Sequence, residues 1–477
     1  MTEINGGSVM YVGREYDASW RDPYFERVYE RLGGGENAKK IVDALKTLYT
    51  MYTDDLVEWY ANLYDPGMGA YYCTTSGKEN EGFLPDIEST SLALIFLKNC
   101  GMLDHLGCDW RNAFSDEFKA KLLKFAKGMQ LPNGYFYNYL KTQEQLDKSV
   151  AKRGRDLGWC TYIIENLGSC PTYDTPNGIK GDGIDANGNP VVGFKPLDLR
   201  NEDDAPKAAA VNYPEYLENK ETLLNYLNES VDVVDNSYSA GNLLNATYSQ
   251  YKARDVAMGW ENTPDSLCDT LINWLNGQIN PKTGYWSPSP TFAGTNGYFK
   301  IITVYNAWRY PYPMPVEAAR SVIDGILGDE PSTGNICEVY NLWSALISTK
   351  ANVQLCHSGE TKEAVLRLIK NVMMENGANA ILNTYKKQSA YQMPDGAYAH
   401  NVNYCFTHHQ GGIPVGLGLQ EGDVDAIGKA TNGILSAIFD AYEIPRVPIY
   451  HEREWLIYKS IIDNAKPVIK KDTTIYR

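Results

Sequence analysis

The sequence predicts an all-α fold, a double ring of six helical hairpins, and three observations carry that expectation. Helical periodicity of apolar residues runs over most of the 477 residues. The predicted helices alternate between an amphipathic, charged type and an apolar type rich in small residues, which suits an outer layer around an inner one. A short phrase also recurs where an outer helix should hand over to an inner one. It reads Gln130-Leu-Pro-Asn-Gly134-Tyr-Phe136 and Gln392-Met-Pro-Asp-Gly396-Ala-Tyr398, with a longer copy in Gln278-Ile-Asn-Pro-Lys-Thr-Gly284-Tyr-Trp286. Asp65-Pro-Gly-Met-Gly69-Ala-Tyr71 keeps the turn and the aromatic residue without the Gln. A unit that returns with one spacing is the mark of a repeat-built fold. Within each copy Gly permits a tight turn, and the aromatic residue can pack over the end of the hairpin.

Taken in order, residues 36–63 form one long amphipathic helix or two. Residues 85–99 are an apolar helix opened by the capping residues Asp86 and Ser89. Helices follow over 115–129, 145–167, 216–230, 238–254, 264–277 and 296–308, then 315–327, 335–352, 360–375 and 423–442. The stretch Asp116-Glu-Phe-Lys-Ala-Lys-Leu-Leu has the polar face of an outer helix, and Ser89-Thr-Ser-Leu-Ala-Leu-Ile-Phe-Leu has the composition of a buried one. Residues 1–35 and 444–477 are extensions to a repeat region over 36–443. Two segments break the rhythm. Residues 169–208, rich in Gly, Asp, Asn and Pro, are an insertion with a small hairpin at Asp185-Ala-Asn-Gly-Asn. Residues 383–414 form a polar, aromatic loop carrying three of the six His, and long ordered loops are often functional.

Composition narrows the class. Hydrophobic residues are 43% and charged residues 22%, ordinary for a globular protein with a large core. A net charge of −15 argues against a nucleic-acid surface or an anionic membrane as partner. Tyr outnumbers Phe by 35 to 12, which suits a polar ligand better than a hydrocarbon. The N-terminus lacks a signal pattern and no apolar run is long enough to span a bilayer. Nine Cys, an odd number at irregular spacing, do not form a disulfide framework, so a reduced, cytoplasmic protein is expected.

The Gln-x3-Gly-x-aromatic phrases at Gln130, Gln278 and Gln392 resemble the Gln–Trp repeat of terpenoid cyclases, and Asp86-Ile-Glu-Ser-Thr90 resembles an inner-helix start of the α/α-toroid superfamily. The resemblance implies an (α/α)6 toroid with its ligand cavity at inner-helix ends and connecting loops. It does not choose a reaction, because glycosidases, sugar epimerases, uronide hydrolases and polysaccharide lyases share the barrel. The chain departs from the cyclases. It has no Asp-x-Asp-Asp acid motif, and Asp54-Asp55-Leu-Val-Glu58 lies on a charged, outer-type helix.

At the positions the resemblance points to, the candidate acids are Asp86, Glu88, Asp156, Glu338 and Asp395. Glycoside hydrolysis needs one protonated and one ionised carboxyl. Asp86 and Glu88 are too near in sequence to flank a bond, so Glu88 with Asp395 is the expected pair, assisted by His400 and Tyr404. The competing role of Asp86 is a helix cap. Lys300 and Arg155 are expected to bind substrate, with Asn401 and Glu338, and Trp159, Trp286, Tyr340, Trp343 and Tyr398 to stack on sugar faces; against that stands the more common role of such aromatics, packing in the core. Lys300 and the Arg153-Gly-Arg155 cations would instead pair with Asp156 or Glu338 if no acidic ligand is present. His400, His408 and His409 lack a helical His-x3-His or Cys-x2-Cys partner, so neither metal nor cofactor is expected. The expectation is thus an enzyme cleaving a glycosidic bond in an oligosaccharide, hydrolysis ahead of β-elimination on a uronate through His400 and Tyr404. The alternatives are a cyclase-like isomerase and a non-catalytic binding toroid.

Overall fold

A computed structural model describes residues 16–194, 213–329 and 334–471. The part of the expected insertion at 195–208 lies outside the described residues. By internal packing the chain divides into two compact units. The first comprises Met1–Phe114, Ile326–Trp343 and Lys370–Arg477, and the second Ser115–Gly325 and Ser344–Ile369. Both are helical. The only β structure among the described residues is two-residue strand pairs and isolated bridges. No described helix is long and apolar enough to cross a membrane.

In the first unit the expected helix over 36–63 is two, Gly35–Tyr49 and Asp54–Ala61. The Ile87–Asn99 helix begins where its capping residue predicts. Asp86 accepts from Ser89 N–H at 2.9 Å, which satisfies one of the open donors of the first turn. The helix packs on Val424–Gly428, which continues through a π-helical turn, Lys429–Gly433, into Ile434–Tyr442. The π turn frees the Ala430 carbonyl. Tyr52 Oη–H and the Gln388 amide both donate to it at 2.7 Å. The Gly359–Ser389 helix runs 14 residues past the expected end at 375, so 383–389 is helix rather than loop. Its polar residues make specific bonds: Thr384 Oγ1 accepts from the Trp343 indole at 2.9 Å, and Asn383 donates to Leu327 O at 2.9 Å. The terminal extensions carry helices of their own, Asp22–Arg31 and Glu452–Asp463, and the latter packs on Asp54–Ala61.

The second unit is built round the contact of Ser237–Met258 with Phe292–Trp308. A Cβ on Gly241 would lie 2.7 Å from Gly297 Cα, so glycine at both positions lets the backbones touch. Phe292–Trp308 starts four residues earlier than expected, capped by Thr291, which places Lys300 in mid-helix rather than near the start. The helices Asp116–Gly128 and Val150–Asn166 pack together, and the latter also packs on Ser237–Met258.

The recurring phrase is a tight hairpin that follows a helix. In the Gln130 copy, Leu131 N–H donates to Tyr135 O and Gly134 N–H to Leu131 O; in the Gln392 copy, Met393 N–H donates to Ala397 O and Gly396 N–H to Met393 O. Gln130↔Phe136 and Gln392↔Tyr398 are antiparallel bridges, whereas the Asp65 copy pairs Asp65 with Ala70 around a turn one residue longer, closed by Gly69 N–H to Asp65 O. Gly134 has φ +81°, and a Cβ there would fall 2.1 Å from Asp174 O, so both backbone and space demand glycine. The expected hairpin at Asp185 is present, with Asp185 N–H donating to Asn189 O. One copy escaped the sequence reading. Thr175-Pro-Asn-Gly178-Ile179 makes the same turn without Gln or an aromatic residue.

Many of the Tyr residues are buried in the cores of both units. In the first unit, buried Tyr hydroxyls donate to backbone carbonyls: Tyr49 to Val447, Tyr398 to Met51, Tyr442 to Gly377 and Tyr450 to Thr53. Each hydroxyl finds a backbone acceptor while its ring fills apolar space.

Candidate active site

Two buried helix caps organise a polar cluster in the first unit. At the first, Asp86 Oδ2 accepts from Ser89 Oγ at 2.6 Å, and His409 Nε2 lies 3.6 Å from Asp86 Oδ1 and 3.4 Å from Ser89 Oγ. All three are buried. The set has the composition of a hydrolase triad without its order. A relay needs His between Ser and Asp, and here the Ser hydroxyl is committed to the Asp. Asp86 is therefore a cap, the competing role recognised in the sequence.

At the second cap, Asp423 accepts from Ala426 N–H at 2.8 Å, from His400 N–H at 2.6 Å and from Phe406 N–H at 3.0 Å. Burial raises its pKa despite these bonds. One residue pair on, Asp425 takes His400 Nδ1 at 2.9 Å and the Lys429 ammonium. Burial alone would push the Asp425 carboxyl up, but the Lys429 charge and His400 hold it well below the usual carboxylate range. The Phe406 ring lies 3.9 Å from the His400 ring and 5.5 Å from the His409 ring, between centroids. Cys73 joins the two caps: its carbonyl accepts from Val424 N–H at 3.0 Å, and burial together with Asp423 and Asp86 drives its thiol pKa up.

Beside this core sit two half-buried carboxyls. Asp395 accepts from Ala397 N–H and from Gly422 N–H, both at 3.1 Å. Glu421 accepts from Ser76 N–H at 3.0 Å and from Cys405 Sγ at 3.4 Å. Burial pushes both upward in pKa, and the Asp395 charge adds to the shift at Glu421. Asp395 also fills the third position of the Pro-Asp-Gly turn. Asn133, its counterpart, takes the same bond, from Tyr135 N–H at 3.1 Å.

The remaining expected residues separate. Glu88 is 2% exposed, in the first turn of its helix, so it offers no open carboxylate. Tyr404 is 47% exposed and its backbone pairs with Asn401, whereas the His400 ring is turned to Asp425. Asn401 also bridges Asn335. The Glu338 carboxylate lies over Gly334, and the Tyr340 ring over Gly433. Tyr398, Trp286 and Trp343 are core residues without a face for a sugar. The Trp286 indole donates to Leu275 O at 2.8 Å within a set of Tyr285, Tyr298, Tyr305 and Tyr312 rings. Lys300, Arg155 and Trp159 belong to the second unit. The Lys300 ammonium is 4.7 Å from the centre of the Phe299 ring, and Arg155 and Trp159 are half-buried on the Val150–Asn166 helix. Asp156 is paired with Lys152 at 2.8 Å, both side chains at 2% exposure or less.

Sequence reasoning missed Glu421, Asp423, Asp425 and Lys429. The signal for Asp423 was its place before the last helix; Glu421 sits in a Gly-rich loop with no motif around it. Among the described residues no group of three or more His, Cys, Asp or Glu is arranged to hold a metal ion. Compared with protein-family models, characterised proteins and solved structures, the chain matches none.

Proposed function

We propose that the protein is a carbohydrate-active enzyme of the α/α-toroid type that hydrolyses a glycosidic bond in an oligosaccharide, with Asp395 and Glu421 as its acid machinery. The observation that carries this reading is the pair itself. Two half-buried carboxyls lie close enough for one to raise the pKa of the other, on loops rather than inside a helix. A raised pKa brings a carboxyl nearer the protonated form a general acid must hold, and glycoside hydrolysis requires one protonated and one ionised carboxyl. Glu421 has the greater claim to the acid role, because the Asp395 charge adds to its shift. Glu421 replaces Glu88 as the partner of Asp395. The helix–hairpin–helix repeats and the alternation of amphipathic and buried helices support the toroid part of the reading.

The test is hydrolysis of cellotriose, xylotriose, maltotriose and mannotriose, followed by reducing-end release. Glu421→Gln should lower turnover by about 100-fold or more, the usual worth of a general acid. Asp395→Asn is informative because Asn133 already fills that turn position. The turn should survive, so a comparable loss in this variant would be chemical. Unchanged turnover in both variants would remove the pair from the mechanism.

A further inference from the structure

We propose that the second unit carries a separate sugar-binding cleft, built by the insertion against the Ser237–Met258 and Phe292–Trp308 helices. The cleft has a volume of about 370 Å³ and includes none of the residues expected from sequence or assigned above to chemistry. Its origin is local. The two helices meet through glycine at Gly241 and Gly297, while farther along the seam the Tyr248, Tyr251 and Trp308 rings lie between them, with Trp308 at 6.4 Å from Tyr248 and 6.0 Å from Tyr251. The Thr175-Pro-Asn-Gly-Ile turn of the insertion closes one side, and a Cβ on Gly178 would lie in ordinary contact, 3.4 Å, with Ala253.

The lining specifies the ligand. Trp308 and Tyr248 give flat aromatic walls, and Ala253 and Val256 add apolar surface. The polar lining comes from Asn177, Ser249 and Lys252. Asn177 accepts from Thr175 Oγ1 at 2.6 Å through its carbonyl, which leaves its amide N–H groups to donate. Lys252 is already paired with Glu261, so its charge does not call for an anion. Aromatic walls beside the Asn177 amide donor and a paired cation fit a neutral sugar residue, whose C–H face packs on a ring while a hydroxyl oxygen accepts.

The cleft stands independently of the Asp395–Glu421 reading, and the experiment keeps the two apart. Binding of cellotriose, xylotriose, maltotriose and mannotriose to the full chain is followed by saturation-transfer NMR and titration calorimetry. At least one should bind saturably, and Trp308→Ala should weaken it by about ten-fold or more through loss of stacking. Ala253→Trp, which fills the cleft and keeps Trp308, should abolish it with the melting transition intact. Glu421→Gln should bind as the wild type does, whatever its turnover. Binding that survives both cleft variants, or no binding by any of the four sugars, would overturn the proposal.

Discussion

At the scale of single residues, Glu421 links stability to function. Its carboxyl pKa is raised above its ordinary value of 4.5, first by burial and then by the Asp395 charge. Ionising it therefore costs the native state. Its favourable contribution is complete below the unfolded pKa and is lost as pH rises through the folded one. Glu421→Gln removes that loss, and the amide oxygen can still accept from Ser76 N–H. The variant should thus melt higher than the wild type at about pH 8, with the difference shrinking towards pH 4.5. A melting series across that range checks it; a Gln variant less stable at every pH would mean that the ionised carboxylate is favourable where it sits. The sequence could name Asp395 because a Pro-Asp-Gly turn at the end of a repeat is a visible motif. It misplaced Glu88 because a helix start predicts proximity to an inner end without predicting burial, and Glu88 is 2% exposed. Glu421 was illegible for the opposite reason. Its environment comes from Ser76, Cys405 and Asp395, residues distant in sequence that only the fold assembles.

At the scale of the element, the repeated hairpin was the most legible feature, and its copies show which part of the phrase is structural. Gln and the aromatic residue vary, but the Gly with positive φ stays: Gly134 at +81°, Gly178 at +83° and Gly396 at +82°. The Thr175 copy was missed because the search followed Gln and the aromatic residue, the dispensable parts. This orders the effects of substitution. Gly178→Ala meets only ordinary contact at 3.4 Å from Ala253 Cβ and should lose about 1–2 kcal/mol, the strain of a Cβ in the left-handed region. Gly134→Ala carries the same strain and also drives a Cβ to 2.1 Å from Asp174 O, so the hairpin or the 174–176 segment must move. Its loss in urea titrations should clearly exceed that of Gly178→Ala; equal losses would mean that the backbone conformation alone requires Gly134. Polar composition misled where helix was concerned. Residues 383–389 have the character of a loop, yet Asn383 and Thr384 make bonds that favour the helix, and Gln388 donates to Ala430 O.

At the scale of the molecule, helical class was written in the periodicity, whereas the division into two units was not, because neither unit is a continuous stretch of chain. Three helices, Pro315–Leu327, Cys337–Cys356 and Gly359–Ser389, have residues in both units. A helix forms and melts cooperatively, so residues shared in this way couple the unfolding of the two units. The nine Cys supply a reporter. All are free thiols: Cys170 is exposed, Cys108 and Cys356 are partly so, and six are buried. Burial pushes the thiols of Cys73, Cys100, Cys160, Cys268 and Cys405 up in pKa, which suppresses the reactive thiolate in the native state. Under native conditions a thiol reagent should modify Cys170 at once, Cys108 and Cys356 slowly and the others only on unfolding. Buried reporters fall in both units: Cys73, Cys100, Cys337 and Cys405 in the first, Cys160 and Cys268 in the second. Pulse labelling along a urea gradient, read by peptide mass spectrometry, should therefore give one midpoint for all six. If Cys160 and Cys268 became reactive at a separate midpoint, the shared helices would break at the division between units, and the two would be independent folding domains.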